Sequence, residues 1–427
     1  EVGYRVRFDE KAKQSSRLVY VTEGLLLRRL LDDPTLRGVS AVVFDEVHEQ
    51  SAELELALAL LTRHVESSPG LRLVAMSATL DAGRIVDYWN GAPRVTSEGR
   101  AYEVRIEHAE KQDDRPLEIQ VRSAVRAELE RPGDMLVFLP GAREIRRAEE
   151  ALGALPDIDV VPLHGDLPIE AQAQVVRGSS SRRRVVLATN IAESSLTIPG
   201  VTTVIDSGLA RVARHDAWSG LVRLEVEPIS RARAIQRSGR AGRVAPGVAR
   251  RLFTALDFSA RPNQELPELL RSDLSHLLLL LRASGRQEGE LRWLSDAPAQ
   301  LFDSARLLLE DLGALAGDRV TDAGRRMLTF PLPTRLGRVL VEAERLGIGD
   351  QGALAVSLLA ERDIVLSDRR FDSRGRAAAV DSDLEERIER FEEAAYSNFN
   401  GSTLRALELD ATRTRAVDQS WMQLKRL

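Results

Sequence analysis

The sequence predicts an α/β chain with two parallel-sheet domains, then a small winged-helix-like domain and a helical bundle. Three observations carry this. From the start to about residue 206, short apolar runs alternate with amphipathic helical segments, as strand–helix–strand units of a parallel sheet do. A polar stretch at 97–116, SEGRAYEVRIEHAEKQDDRP, interrupts the alternation once and reads as a linker carrying one strand. Beyond Asp257 strand-like runs mostly vanish and helix-spaced leucines take over.

The elements follow in order. EVGYRVRF at the start is strand-like, Arg17–Val21 is a strand, and TEGLLLRRLL starts a helix. Val39–Phe44 is a buried strand, Leu54–Val65 a helix and Leu71–Ser77 a strand. After the linker come a helix at 117–130 and a strand at 135–139. A helix at 142–152, a strand at 158–161, a helix at 168–177 and strands at 184–189 and 201–206 complete the run. RVARHD and LVRLEVE, joined by AWSG, predict a β-hairpin over 211–227. PELLRSDLSHLLLLL and DSARLLLEDLGAL are helical, and RVTDAG (319–324) is a small strand and turn. Domain limits are therefore expected at 1–97, 98–256, 257–325 and 326–427.

Composition narrows the chemistry. With 427 residues and 43% apolar residues the chain can bury real cores. It contains no cysteine, which excludes disulfides, thiolate metal sites and a cysteine nucleophile and fits a cytoplasmic protein. The longest leucine run, Leu277–Leu281, is too short to span a membrane, and no membrane partner is expected. The net charge of −5 gives no global attraction to nucleic acid, but binding follows the local field along a groove.

Four constellations carry chemistry. Asp45-Glu46-Val47-His48 follows the apolar AVVF, so both carboxylates sit at the carboxyl end of a parallel strand, where open α/β sheets bind ligands. One can hold Mg²⁺ on nucleotide phosphates while the other takes a proton from water. Ser77-Ala78-Thr79 ends the next strand and, alone, would read as a helix N-cap. The run from Ala188 to Gly208 sets Thr189, Asn190 and further hydroxyls at a strand end, where they can grip phosphates. In QRSGRAGR (236–243), Arg240 and Arg243 are three apart and share a face if helical, and arginines so placed can stabilise a transferring phosphoryl group.

In this order and spacing the motifs resemble those of superfamily 2 helicases of the DEAH/RHA group. TEGLLLR (22–28) is similar to motif Ib, DEVH to motif II, SAT to motif III and LVFLPG (136–141) to motif IV. The 188–208 run is similar to motif V and QRSGRAGR to motif VI. LLAERDIVL (358–366) resembles the bacterial HrpB-like branch. The resemblance implies two RecA-like domains, the first incomplete, with a winged-helix-like domain and a ratchet-like bundle. It implies ATP, or another NTP, as cofactor with Mg²⁺. The implied partner is single-stranded or partly duplex nucleic acid, RNA favoured, bound by a monomer.

It also implies roles for single residues. Asp45 would coordinate Mg²⁺, and Glu46 would be the general base, touching the metal through water. His48 would couple the site to motifs III and VI, and Gln236 would orient the γ-phosphate or the water. Arg240 and Arg243 would be fingers, and Ser77, Thr79 and Asp206 would lie on the cofactor side. Thr22, Glu23 and Gly24 would line the strand channel, with Thr189 and Asn190 across from them. The hairpin would face the duplex junction. A phosphate-binding loop needs G-x-x-x-x-G-K-[ST], and these 427 residues contain no Gly-Lys pair. The expectation is a helicase segment, cut at both ends, that is inactive by itself. The alternative is a hydrolysis-dead nucleic-acid-binding or regulatory module.

Overall fold

In the computed structural model the described residues are 2–6, 9–13, 15–67, 70–77, 82–97, 102–178, 182–193, 196–215, 222–296, 299–366 and 382–427. They form two compact units. A sheet unit holds residues 41–51 and 73–272, and a helical unit holds 1–40, 52–72 and 273–427.

The sheet unit is built on six strands: β1 (Val104–Ala109), β2 (Asp134–Phe138), β3 (Ile158–Leu163), β4 (Arg183–Ala188), β5 (Val201–Asp206) and β6 (Gly247–Thr254). Their order is β1-β6-β5-β2-β4-β3 and every pairing is parallel. Helices α1 (Leu117–Ala127) and α2 (Ala142–Leu152) cover one face. Val121, Val125, Ile145 and Ala148 there pack on Val137, Val185 and Ile205. The opposite face carries Leu136, Phe138, Val186, Val204 and Ala249, packed with Val175 of α3 (Ile169–Arg177) and with Ala192 and Ala241. Fully buried parallel strands read as continuous apolar runs, which is why MLVF, VVLA and VTTVID were visible in the sequence.

Two strands were less visible. The strand within the 97–116 stretch does not stay in a linker; as β1 it pairs with β6 and forms one edge of the sheet. The β6 segment, GVARRLFT, was not recognised as a strand, yet it lies between β1 and β5. Its paired arginines hide it. Arg250 reaches Glu107 and Glu128 on one face, and Arg251 is buried on the other. The hairpin forms from Leu209–His215 and Val222–Pro228, antiparallel; its tip, 216–221, lies outside the described residues.

In the helical unit, Val2–Val6 pairs parallel with Leu18–Val21. The helix Ala52–Ser67 is apolar on almost every side, with Leu54, Leu56, Ala57, Leu58, Ala59 and Leu61 buried. A helix of that kind is enclosed by its neighbours, here the helices Glu23–Asp32 and Ser275–Ala283. Glu55 of the same helix has no exposed surface and accepts hydrogen bonds from Ser295 N (2.9 Å) and Oγ (2.7 Å). Arg28 Nη2 donates to Leu328 O at 2.8 Å, at the end of the helix Asp322–Thr329. RVTDAG forms the short strand Arg319–Val320 and then enters that helix. Among the described residues no helix is long and apolar enough to cross a membrane.

The two glycines of GRAG differ. A Cβ on Gly242 would lie 2.6 Å from Tyr102 O and 2.6 Å from Val104 Cγ2, whereas one on Gly239 meets nothing within 4 Å. The small residue at 242 thus serves the approach of backbone to the β1 segment, whose Tyr102 N donates to Gly242 O at 2.8 Å. Gly242→Ala is expected to destabilise the protein by about 1–3 kcal/mol through overpacking. Gly239→Ala should change it by no more than about 1 kcal/mol. Urea unfolding of both variants checks this.

Candidate active site

The strand Ala41–Phe44 delivers Asp45 and Glu46 into a sharp turn. Glu46 adopts a left-handed backbone (φ 51°), as does Gln50 (φ 49°). For a residue with a side chain this conformation costs on the order of 1–2 kcal/mol, and it is held by its surroundings. Glu46 N donates to Asp45 Oδ1 (2.8 Å), Val47 is buried, and Val47 N donates to Met76 O (3.1 Å). The one-turn 3₁₀ helix Val47–Glu49 then aims His48 back over the carboxylate.

His48 is the hub. Its Nε2 lies 3.3 Å from Gln236 Nε2, and its Nδ1 lies 3.3 Å from Glu46 Oε2 and 3.4 Å from Ser77 Oγ. With the Gln236 amide donating to Nε2, the imidazole carries its proton on Nδ1, facing Glu46. Residues from three separated stretches of sequence, 46–48, 77 and 236, thus meet at His48, which hydrogen-bonds Gln236 and Ser77 and holds the Glu46 carboxylate within 3.3 Å. The sequence expectation paired these motifs; the structure brings these four residues together.

Gln236 lies on α4 (Arg231–Gly239), which begins with a hydrogen bond from Arg233 N to the N-cap Ser230 Oγ. The α-helix stops at Gly239, so Arg240 and Arg243 do not share an α-helical face. Arg240 opens a 3₁₀ turn, and Arg243 follows it. Arg240 Nη1 donates to Leu196 O at 2.9 Å and Nη2 to Glu193 O; Arg243 Nη1 donates to Thr197 Oγ1. Burial, and then the neighbouring Arg243, push the Arg240 guanidinium down to about 10, against the pull of Glu46 and Glu193. Arg243 is lowered as well, by partial burial, again opposed by Glu46. Glu46 and both arginines therefore share one electrostatic field, and Arg240 stays charged at neutral pH.

The sequence reading missed what holds α4. Arg237 is completely buried; it donates from Nε to Glu193 Oε2 (3.1 Å) and from Nη1 to Asp206 Oδ1 (2.8 Å) and Leu209 O (3.2 Å). Its guanidinium carbon stands 4.8 Å from the Phe138 ring centre. Arg233 forks the same Glu193 at 2.6 and 2.9 Å. Burial would raise the Glu193 carboxyl, but Arg237 and Arg233 hold it below its ordinary value. Asp206 was expected on the cofactor side. It has no exposed surface, and its Oδ1 accepts from Arg237 and from Gly208 N, so it is committed to the interior. The available signal was the Arg233/Arg237 spacing of four, which sets both on one helix face.

The remaining expected residues are placed as follows. Thr189 is half-buried at the end of β4, its N–H donating to Leu163 O (3.1 Å), and Asn190 is exposed at the start of a short 3₁₀ turn. Thr22, exposed, precedes the helix Glu23–Asp32 of the helical unit, with Glu23 and Gly24 in its first turn. Thr79 lies outside the described residues.

The helicase conserved C-terminal domain family matches residues 119–245. The chain is 39% identical over 371 residues to the ATP-dependent RNA helicase HrpB of Escherichia coli (strain K12), across 84% of this chain and 45% of that protein. It is 36% identical over 378 residues to the pre-mRNA-splicing factor ATP-dependent RNA helicase prp22 of Schizosaccharomyces pombe, across 85% of this chain and 32% of that protein. The chain thus spans less than half the length of these relatives. The crystal structure of the E. coli DExH-box NTPase HrpB aligns with a TM-score of 0.78 at 35% identity, over 96% of this chain and 50% of that one. In sequence and fold the chain is thus similar to helicases of the DEAH/RHA group, its six-stranded sheet RecA-like. Within that group the similarity extends to the HrpB-like branch.

Truncating Asp206 to Ala would leave Arg237 buried beside a single carboxylate. Breaking a buried pair in this way costs about 3–5 kcal/mol. The expected outcome is a lower urea midpoint with an unchanged slope; an unchanged midpoint would show that Asp206 does not anchor the helix.

Proposed function

We propose that the protein containing this chain is an ATP-dependent RNA helicase that couples NTP hydrolysis to strand translocation and duplex unwinding. The observation that carries the reading is the cluster of Glu46, His48 and Gln236, set in one electrostatic field with Arg240 and Arg243. A general base, a group that orients water or phosphate, and two cations are the parts phosphoryl transfer to water requires. Glu46 Oε2 takes the His48 proton side, which fixes the carboxylate and leaves its other oxygen for a water. The arginines would offset charge developing on the transferred group.

Asp45 fits a Mg²⁺ ligand by its chemistry. One of its oxygens takes the Glu46 amide, the other is open to a hard cation, and Mg²⁺ uses only one or two carboxylates beside phosphates and waters. Bound there, the ion would neutralise phosphate charge. Ser77 and Thr79 would relay the state of the site to domain movement. Thr22, Glu23, Gly24, Thr189 and Asn190 would contact a nucleic-acid strand through its phosphates, which gives grip without sequence preference. RNA is favoured because the relatives are named RNA helicases. We place the protein in the cytoplasm as a monomer, with domains at 1–97, 98–256, 257–325 and 326–427.

The 427 residues supply no G-x-x-x-x-G-K-[ST] loop, so this segment should not hydrolyse ATP unaided. RNA-stimulated hydrolysis is to be measured for this chain and for a longer chain carrying such a loop ahead of it. The longer chain should turn over, Glu46→Gln should abolish turnover, and both should bind single-stranded RNA with an affinity that falls steeply with salt. An inert longer chain that still binds RNA would favour the binding-module alternative.

A further inference from the structure

One rung of the sheet continues the polar layer beyond Asp206. Cα pairing aligns Phe138 with Asp206, Asp206 with Arg251, and Arg251 with His108. Residues on one rung of a parallel sheet point to the same face, and here it is the face on which α4 lies, since Arg237 reaches both Phe138 and Asp206. Arg251 is only 4% exposed. Its Nη2 donates to Ser238 Oγ (3.3 Å) and its Nη1 lies 3.3 Å from His108 Nε2. Its guanidinium stacks on Phe258, 4.1 Å from the ring centre. Ser238 Oγ in turn donates to Ala234 O (2.7 Å), which leaves its lone pairs for Arg251. Ser238 immediately follows Arg237 and stands two residues before Arg240 and two after Gln236. Helix α4 is thus bolted down at two successive residues, by Glu193 and Asp206 through Arg237, and by Arg251 through Ser238.

We propose that Arg251 and His108 are positioning residues for Gln236 and Arg240, and that this support requires an unprotonated His108. An arginine cannot accept a hydrogen bond, so His108 Nε2 must accept from Arg251 and the ring proton resides on Nδ1. Protonation would set an N–H against an N–H and a cation against a cation. The charged group that faces His108 is Arg251 on β6; Arg251 in turn has Asp206 on β5 and Arg261 in its field, the latter paired with Asp257 of the helix Ala255–Ala260. From α4 come the hydroxyl of Ser238 and the already paired Arg237. Phe253 and Phe258, with ring centres 6.0 and 5.6 Å from that of His108, keep the pocket apolar. Burial first, and then Arg251, lower the His108 pKa from 6.5. A histidine lowered in the fold binds fewer protons there than in the unfolded chain. Its support is complete above about pH 6.5 and is lost as pH falls toward the folded value.

The positioning role in catalysis rests on the proposed hydrolysis reading, so the test has two arms. In the 427-residue chain, amide hydrogen exchange over 231–243, corrected for intrinsic rates, is compared at pH 7.5 and 5.5. The expected result is a several-fold loss of protection at the lower pH, with Arg183–Ala188 unaffected. His108→Gln, which offers an acceptor that does not titrate, should abolish the response, and Arg251→Met should lose protection at both values. A wild-type response retained in His108→Gln, or one equal in Arg183–Ala188, overturns the proposal. His276, also lowered by burial, belongs to the helical unit, so it provides an internal control. In a longer, hydrolysing chain, kcat should carry an acidic limb that His108→Gln removes while KM for ATP is little changed. A flat wild-type profile overturns the catalytic role. If no chain hydrolyses ATP, the function reading falls, and the exchange arm still decides whether the pair holds α4.

Discussion

The sheet unit depends on one buried ion network, Arg237 between Glu193 and Asp206. Removing an arginine from water is expensive, and a single carboxylate seldom compensates. Here the guanidinium meets two carboxylates, a main-chain carbonyl and the face of Phe138, so charge and hydrogen-bonding capacity are both largely answered. Each partner comes from a different place. Asp206 ends β5, Glu193 closes the turn after β4, and Phe138 ends β2. The arginine therefore ties the carboxyl ends of three adjacent strands to one helix, at the position where the strand order reverses between β5 and β2. Open parallel sheets bind ligands at that crevice. The network makes its floor rigid.

That rigidity explains why Glu193 matters more than its place in a polar run suggested. Its side chain takes Arg233 and Arg237 from α4, and its main-chain carbonyl takes Arg240. A displacement of the 190–197 segment would be felt by α4 and by Arg240 together, since both hang on the same residue. Asn190, at the start of that segment, is exposed.

Much of the fold was legible because parallel strands buried on both faces are written in apolar letters, and because the carboxylates of DEVH follow such a strand directly. The illegible parts have a common cause. GVARRLFT and the Asp206–Arg251–His108 rung place charged side chains in the interior, and a buried, paired charge is indistinguishable in sequence from a solvated one. The same confusion assigned Asp206 to the cofactor and left Arg237 without a role between two expected ligands. The left-handed turn at Glu46 was equally hidden. Nothing in the letters DEVH signals φ 51°, and it is this turn that brings the Glu46 carboxylate under His48. The 3₁₀ break after Gly239 was hidden too, because α and 3₁₀ turns both bring residues three apart near one another.

The state of Arg240 shows how fixing a cation and keeping it available can coexist. A guanidinium has five N–H donors in a rigid planar fork, and the two carbonyls at 193 and 196 occupy one on each terminal nitrogen. Carbonyls orient the group without neutralising it, as a carboxylate would. Arg237, paired with two carboxylates, presents little net charge to its surroundings. Arg240, held by neutral dipoles beside a second arginine, presents nearly all of its charge. Its lowered pKa is the mark of that difference, because the group keeps its charge while having lost much of its water. A cation already stripped of solvent gives up less hydration when it meets an anion, and in a partly desolvated site the attraction is stronger than in water. Two buried arginines three residues apart, one on α4 and one in the turn that follows it, thus take opposite tasks, and what separates them is whether carboxylates or only carbonyls answer their donors.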